Sequence, residues 1–319
     1  MNLHKNSQVF TELVIATADF FKIPEVYVEK DYWVTRALMQ LSQSEYVEQV
    51  VFKGGTSLSK AYKLIQRFSE DIDLAMIVDG LNSNQVKKLI KKIEATVIAN
   101  LEYIPGHHVE SKHGQFRKTV YRYPRLISGS FGQASDELLL EINCFATPEP
   151  ASNQLISSLI AEFLQRIGRD DLIEQYGLSS FELKVLHVER TLCEKIFGLI
   201  RASCADNAVQ ALKEKIRHIY DICMIVRVEY YMKFVQSEQF LEMLRIVYLA
   251  DVDQFKDKAD WLEESLEKAL IFQNTPEILP MLLNEYQNIF SDMVFDEDLP
   301  SEQEIITVFS LIHKQLIRY

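Results

Sequence analysis

Apolar residues recur at helical spacing from about Ser7 to Leu41 and break at Ile23-Pro24, which predicts two N-terminal helices with the proline in the first turn of the second. A short β-branched run from Gln49 to Lys53 follows, then Gly54-Gly55-Thr56-Ser57, then helical spacing from Leu58 to about Gln66. The order is strand, glycine turn, helix. Asp71 to Val78 alternates at its start and reads as a strand closed by Asp79-Gly80. Asn84 to Asn100 reads as a lysine-studded amphipathic helix, His108 to Arg125 as a hairpin or edge strands, and Glu137 to Phe145 as a strand. Thr147-Pro148-Glu149-Pro150 breaks the pattern, and from Gln154 to Tyr319 the spacing is helical. The expectation is an α+β chain: a mixed α/β domain with N-terminal helices over residues 1–150, and an α-helical domain over residues 151–319.

With 319 residues, 48% hydrophobic, and only 10 Gly and 8 Pro, the chain falls outside the disordered and collagen-like classes. The N-terminus MNLHKNSQVF has no apolar core of a signal peptide, and no run of apolar residues is long enough to span a bilayer. Cys144, Cys193, Cys204 and Cys223 show no C-x-x-C spacing, so unpaired thiols in a reducing cytoplasm are expected. The net charge of −12 argues against a polyanionic partner. Its distribution weakens that argument. Asp251 to Glu304 holds 15 acidic and 3 basic residues, which is the whole excess, and is expected to form a solvated outer face. Between Val86 and Phe131 the balance reverses: nine basic residues, from Lys87 to Arg125, face Glu94, Glu102 and Glu110.

The segment Val51 to Met76 carries the chemistry. Gly54 and Gly55 allow close backbone approach, and Thr56 and Ser57 add hydroxyls where a helix begins, an arrangement suited to phosphate. A Walker A loop is absent. Asp71 and Asp73, two apart on a strand, project from one face while Ile72 and Leu74 pack on the other. Two such carboxylates repel unless a divalent cation lies between them, and magnesium prefers hard oxygen ligands of this kind. Glu141, flanked by apolar residues, is the expected third carboxylate, sharing the metal and acting as general base on an attacking hydroxyl. Arg67 has two readings, a phosphate clamp or a counter-charge for Glu70 and Asp71.

These motifs resemble the nucleotidyltransferase superfamily of the polymerase-β type. More specifically, K-G-G-T-S-L-S-K and R-F-S-E-D-I-D-L resemble the AbiEii/AbiGii toxin family, the toxin half of type IV toxin–antitoxin and abortive-infection phage-defence systems. The Glu29-Lys30-Asp31-Tyr32-Trp33 stretch, Thr191 to Lys195, and Arg217 to Asp221 are similar to further family elements, so the resemblance runs from about Val28 to Asp221. It implies that Asp71 and Asp73 bind catalytic Mg2+ and that Gly54, Gly55, Thr56 and Ser57 hold a nucleoside triphosphate. It also implies that Lys195 reaches a phosphate from the helical domain, which completes the nucleotide cleft, with Asp221 orienting it or touching the nucleotide. Members transfer a nucleoside monophosphate to an acceptor, in some cases the 3′ end of tRNA, and pair with a cognate antitoxin encoded nearby. Read without the resemblance, Lys195 is an ordinary exposed lysine, and Arg217 with Asp221 a surface i,i+4 ion pair. Glu29, Lys30 and Asp31 read as structural support. Two alternatives leave the same signature: a small-molecule or protein acceptor, or a non-catalytic binding module with this fold.

Overall fold

The first helix starts where Asn6 accepts a hydrogen bond from the Val9 N–H, and it stops at Lys22, whose φ of 58° ends helical geometry. This computed structural model describes residues 1–132, 134–255, 261, 265–295 and 299–319. Helices α1 (Ser7–Phe21) and α2 (Glu25–Ser42) pack on each other, and Pro24 stands one residue ahead of α2 in extended geometry rather than within its first turn. Strand β1 (Val50–Lys53) leads directly into α3 (Gly54–Lys60), so this helix opens on the glycines and ends short of the expected Gln66. Then come β2 (Ile72–Met76), α4 (Ser83–Val97), β3 (Glu102–Tyr103), β4 (Ser111–His113), β5 (Phe116–Arg122) and β6 (Leu138–Asn143). The amphipathic helix, the hairpin and both acidic strands thus form where the hydrophobic pattern places them.

Past residue 150 the helical expectation fails locally. Ala151–Ile156 and Phe181–Leu186 are strands, β7 and β8, enclosing α5 (Leu159–Arg166) and α6 (Asp170–Gln175). They join one eight-stranded mixed sheet in the order β3-β5-β6-β2-β1-β8-β7, with β4 beside β5. Strands β2 and β6 are parallel, as are β1 and β8, whereas β1 and β2, β5 and β6, and β7 and β8 are antiparallel. The chain accordingly divides into compact units at Leu186/His187 instead of residue 150, since β8 is bonded to β1 and draws its hairpin into the first unit. Ile72, Leu74, Leu138, Leu140 and Ile142, all fully buried, form the centre of its core.

The second unit comprises Leu64–Arg67 and His187–Tyr319. Its helices are α7 (Val188–Ser203), α8 (Ala208–Glu214), α9 (Ile216–Arg227), α10 (Glu229–Val235), α11 (Glu238–Phe255), α12 (Leu270–Gln273), α13 (Thr275–Asn284) and α14 (Glu302–Leu316). Helix α7 packs against α9 and α11, burying Leu192, Ile196, Phe197 and Leu199. The acidic segment from Asp251 is not simply a solvated face. Asp251 is buried against Arg201, and Glu304 makes a two-pronged contact with Arg227 at 2.6 and 2.8 Å. Residues 256–260, 262–264 and 296–298 of that segment lie outside the described residues. No helix among the described residues is long and apolar enough to cross a membrane.

Candidate active site

Strand register assembles a charged row on one face of the first unit's sheet. Lys53 of β1 lies opposite Asp73 of β2, Asp73 opposite Glu141 of β6, and Glu141 opposite Lys118 of β5. Residues directly opposite in a sheet project to the same side, so four strands present cation, carboxylate, carboxylate, cation. Lys118 Nζ stands 3.8 Å from Glu141 Oε2, and Asn143 Nδ2 is 3.4 Å from Glu141 Oε1. Asp71 sits just ahead of β2. Burial, the Glu141 charge and the Asp71 charge together push the Asp73 carboxyl up to about 8, although Lys53 and Lys118 pull the other way. That environment stabilises positive charge beside Asp73.

The glycine turn has a steric reason as well. Gly54 has φ +80°, and a Cβ built there would overlap Asp73 Oδ2, so only glycine lets β1 turn into α3 against that carboxylate. Thr56 and Ser57 differ from their expected setting. Both are buried, Thr56 Oγ1 lies 3.0 Å from Ser69 Oγ, and the Ser57 hydroxyl donates to the Gly54 carbonyl at 2.8 Å. Their side chains brace the turn, and the part of it suited to an anion is backbone N–H.

Support for the acidic strand comes from α2. Lys30, fully buried, donates to Glu70 Oε2 and to the Ser135 carbonyl, each at 2.6 Å, which pins the residue immediately before Asp71. Tyr27 stacks on Phe68 at 4.0 Å between ring centroids. Glu29 accepts from the Leu126 and Ile127 N–H groups, and Asp31 accepts from Lys60 and from the Leu159 N–H. All three charges of the Glu29-Lys30-Asp31 run are therefore structural ties.

The second unit holds a separate set. Arg67 grips Asp221 through two bonds of 2.7 Å, and Lys195 reaches the same carboxylate at 2.8 Å. Asp221 is fully enclosed, with Arg67 3% and Lys195 7% exposed. Burial alone would raise the Asp221 pKa, but the Arg67 and Lys195 charges hold it well below the usual carboxylate range. This corrects three expectations. Asp221 bonds to Arg67 and Lys195 in the interior and is no surface partner for Arg217; Lys195 is not an exposed lysine; Glu70 is answered by Lys30 while Arg67 takes Asp221. His218 lies against Gly198, where a Cβ would come within 2.7 Å of Nδ1. Burial, then Lys195 and Lys215, drive its pKa well below the ordinary value, so it is neutral.

Asp71, Asp73, Glu141 and Gly54 through Ser57 thus fall in one set, and Arg67, Lys195 and Asp221 in another. Lys53 and Lys118 went unassigned from sequence. Their signal is the alternation that places them on the face of Asp73 and Glu141. Among the described residues no group of three or more His, Cys, Asp or Glu side chains stands ready-made around a metal position. The donors nevertheless fit a hard divalent cation: carboxylate oxygens brought together by register, one of them resisting ionisation because of its burial and then its carboxylate neighbours.

Residues 36–308 match the family described as nucleotidyl transferase AbiEii toxin, type IV TA system. No curated protein sequence matches the chain. Among solved structures the fold is similar to that of MenT4, a nucleotidyltransferase toxin from Mycobacterium tuberculosis H37Rv, with a TM-score of 0.51 and 15% identity over 94% of this chain and 98% of that one.

Proposed function

Because the chain belongs to the AbiEii nucleotidyltransferase toxin family, we propose that it is a magnesium-dependent enzyme that transfers a nucleoside monophosphate from a nucleoside triphosphate to RNA, the 3′ end of tRNA supplying the acceptor hydroxyl. The observation that carries this reading is the row Lys53, Asp73, Glu141 and Lys118 beside the Gly54 turn. Asp71, Asp73 and Glu141 would hold the metal, whose charge would neutralise the triphosphate oxygens and make the α-phosphorus a better electrophile. Glu141 takes the proton of the attacking hydroxyl, the new P–O bond forms in line, and pyrophosphate leaves. The backbone from Gly54 to Ser57 anchors the β- and γ-phosphates, and Lys53 and Lys118 flank the developing charge. In the second unit Asp221, itself gripped by Arg67, orients the Lys195 ammonium that the family resemblance assigns to a phosphate. The site of action is the cytoplasm, with a cognate antitoxin as regulator.

The test is incubation with each of four α-labelled nucleoside triphosphates, Mg2+ and total cellular RNA. Label should enter RNA with the wild-type chain and stay out with Asp73→Asn. Full transfer and full toxicity in Asp71→Ala or Asp73→Ala would end this mechanism. Calorimetry separates the non-catalytic alternative, which predicts no magnesium-dependent triphosphate binding.

A further inference from the structure

Helix α4 and the β4–β5 hairpin enclose a concavity of about 270 Å³ lined by Lys87, Ile90, Lys91, Lys112, His113 and Arg117. Two of its cations are already balanced, Arg117 by Glu94 and Lys112 by Glu110. Lys87 and Lys91 are exposed, one turn apart on α4, and among the described residues neither has an ion-pair partner. A protein of net charge −12 therefore concentrates uncompensated positive charge in one groove.

At the hairpin edge the groove meets an aromatic strip on the other face of the sheet: Lys112 and Arg117, paired across β4 and β5, face α4, whereas His113 and Phe116, paired one position along, face the side of Lys118. His113 stacks on Phe116 at 5.1 Å and 23°, and Phe116 stacks on Phe145 at 5.7 Å and 17°. Phe116 precedes Lys118 by two positions on β5, so it lies on the same sheet face about 7 Å along the strand. Lys118 is the member of the charged row paired with Glu141. Cations that track a backbone, followed by rings on which bases stack, are the two elements of a single-strand polynucleotide surface.

We propose that the groove and the His113–Phe116–Phe145 strip bind single-stranded RNA, with Lys87 and Lys91 on backbone phosphates and the rings against bases, the strand passing around the hairpin edge toward Lys118 and Glu141. The proposal rests on the RNA-acceptor reading for its occupant, and it is read by binding, which does not require turnover. An acidic polypeptide would satisfy the lysines but leave the aromatic strip without a role.

The test is fluorescence anisotropy of the full chain with a labelled single-stranded RNA of about 12 nucleotides, a length within the range of such sites. Lys87→Ala with Lys91→Ala should weaken binding about 10- to 30-fold near 0.1 M salt and reduce the slope of log K against log salt by about 1.4, the share of two phosphate contacts on a single strand. Phe116→Ala should weaken binding with the slope unchanged. Lys88→Ala with Lys92→Ala removes the same charge from exposed positions of the same helix outside the groove, and should lose far less. Equal loss in both lysine pairs would reduce the effect to bulk charge and overturn the site. Poly-glutamate binding as tightly as RNA, with the same sensitivity to Lys87 and Lys91, would also overturn it in favour of an acidic-protein surface. Calorimetric triphosphate binding should be unchanged in the Lys87/Lys91 variant. RNA binding as expected with no label transferred by wild type would count against the acceptor reading alone and leave the groove supported.

Discussion

Asp221→Asn is the most direct probe of the second unit. The native carboxylate is fully enclosed and receives two bonds from Arg67 and one from Lys195, at 2.7, 2.7 and 2.8 Å. Asparagine keeps the shape and one acceptor oxygen but removes the negative charge that the buried Arg67 and Lys195 cations share. Removing one partner of a buried pair costs about 3–5 kcal/mol, and the retained acceptor places this variant near about 3 kcal/mol, roughly a hundredfold in the folding equilibrium. Urea unfolding followed by a probe in the helical unit measures it as a lower midpoint at constant slope. Lys195→Met in the Asp221→Asn background should recover part of the loss, because one of the two buried cations is removed with it. The pH dependence has a definite sign. The folded pKa is depressed below the ordinary carboxylate value, so the carboxylate's contribution is complete above about pH 4 and is lost as pH falls below that toward the folded pKa. The gap between wild type and variant should therefore be constant at neutral pH and narrow only in acid. A loss below about 1 kcal/mol, the level of an exposed ion pair, would refute this account.

Asp73 carries the opposite sign. Its folded pKa, pushed up to about 8, lies above the unfolded value, so the metal-free wild type should lose stability as pH climbs from about 4 to 8. Metal-free Asp73→Asn should melt higher than wild type by a margin that widens over that range in calorimetric scans, and a margin independent of pH would contradict the assigned environment. Gly54→Ala should cut nucleotide transfer by about a hundredfold or more, as expected for a misplacement of about 1 Å at the reacting centre, because the methyl displaces Asp73. Near-native transfer rates would remove the close approach from the argument. Lys30→Met should cost about 3–5 kcal/mol by removing the buried ammonium that bonds Glu70, measured by denaturant titration. Gly198→Ala should cost about 1–3 kcal/mol through contact with the His218 ring, read as a lowered melting temperature.

The strand, glycine turn and acidic strand are legible in sequence because each is local. Alternation, a Gly-Gly pair and an i,i+2 pair of aspartates leave little choice of arrangement. What escapes is whatever depends on pairing across long separations. Lys118 joins the charged row only because β5 lies beside β6 in one register, and a one-residue slip would have put it on the opposite face. Strand β7, Ala-Ser-Asn-Gln-Leu-Ile, ends the sheet and keeps Asn153 and Leu155 exposed, so it lacks the apolar run of a central strand. Arg67 and Asp221 are 154 residues apart, and Arg217 is a nearer partner for Asp221 in every local pattern. The acidic excess misleads for the same reason, since Asp251 and Glu304 are answered by Arg201 and Arg227 on distant helices.

The Glu29-Lys30-Asp31 run shows how a helix without a catalytic side chain can still govern such a site. Consecutive residues on a helix point about 100° apart, so three adjacent charges face three directions. Glu29 fixes the backbone at Leu126–Ile127, Lys30 fixes Glu70 and Ser135, and Asp31 fixes Lys60 of α3 and the start of α5. Two of these ties bear on the charged row. Lys60 closes the helix that Gly54 opens, and Glu70 is the residue before Asp71. Helix α2 thus sets the spacing between the glycine turn and the acidic strand from one rigid element, which strand pairing through β1 and β2 alone would leave free to shift at its end. A buried lysine whose ammonium reaches both a carboxylate and a carbonyl is costly to replace, because any neutral substitute takes a charged donor from buried Glu70 and from the Ser135 carbonyl at once. The cost of that position follows from where its contacts lie, immediately upstream of Asp71 and at the loop entering β6, which carries Glu141.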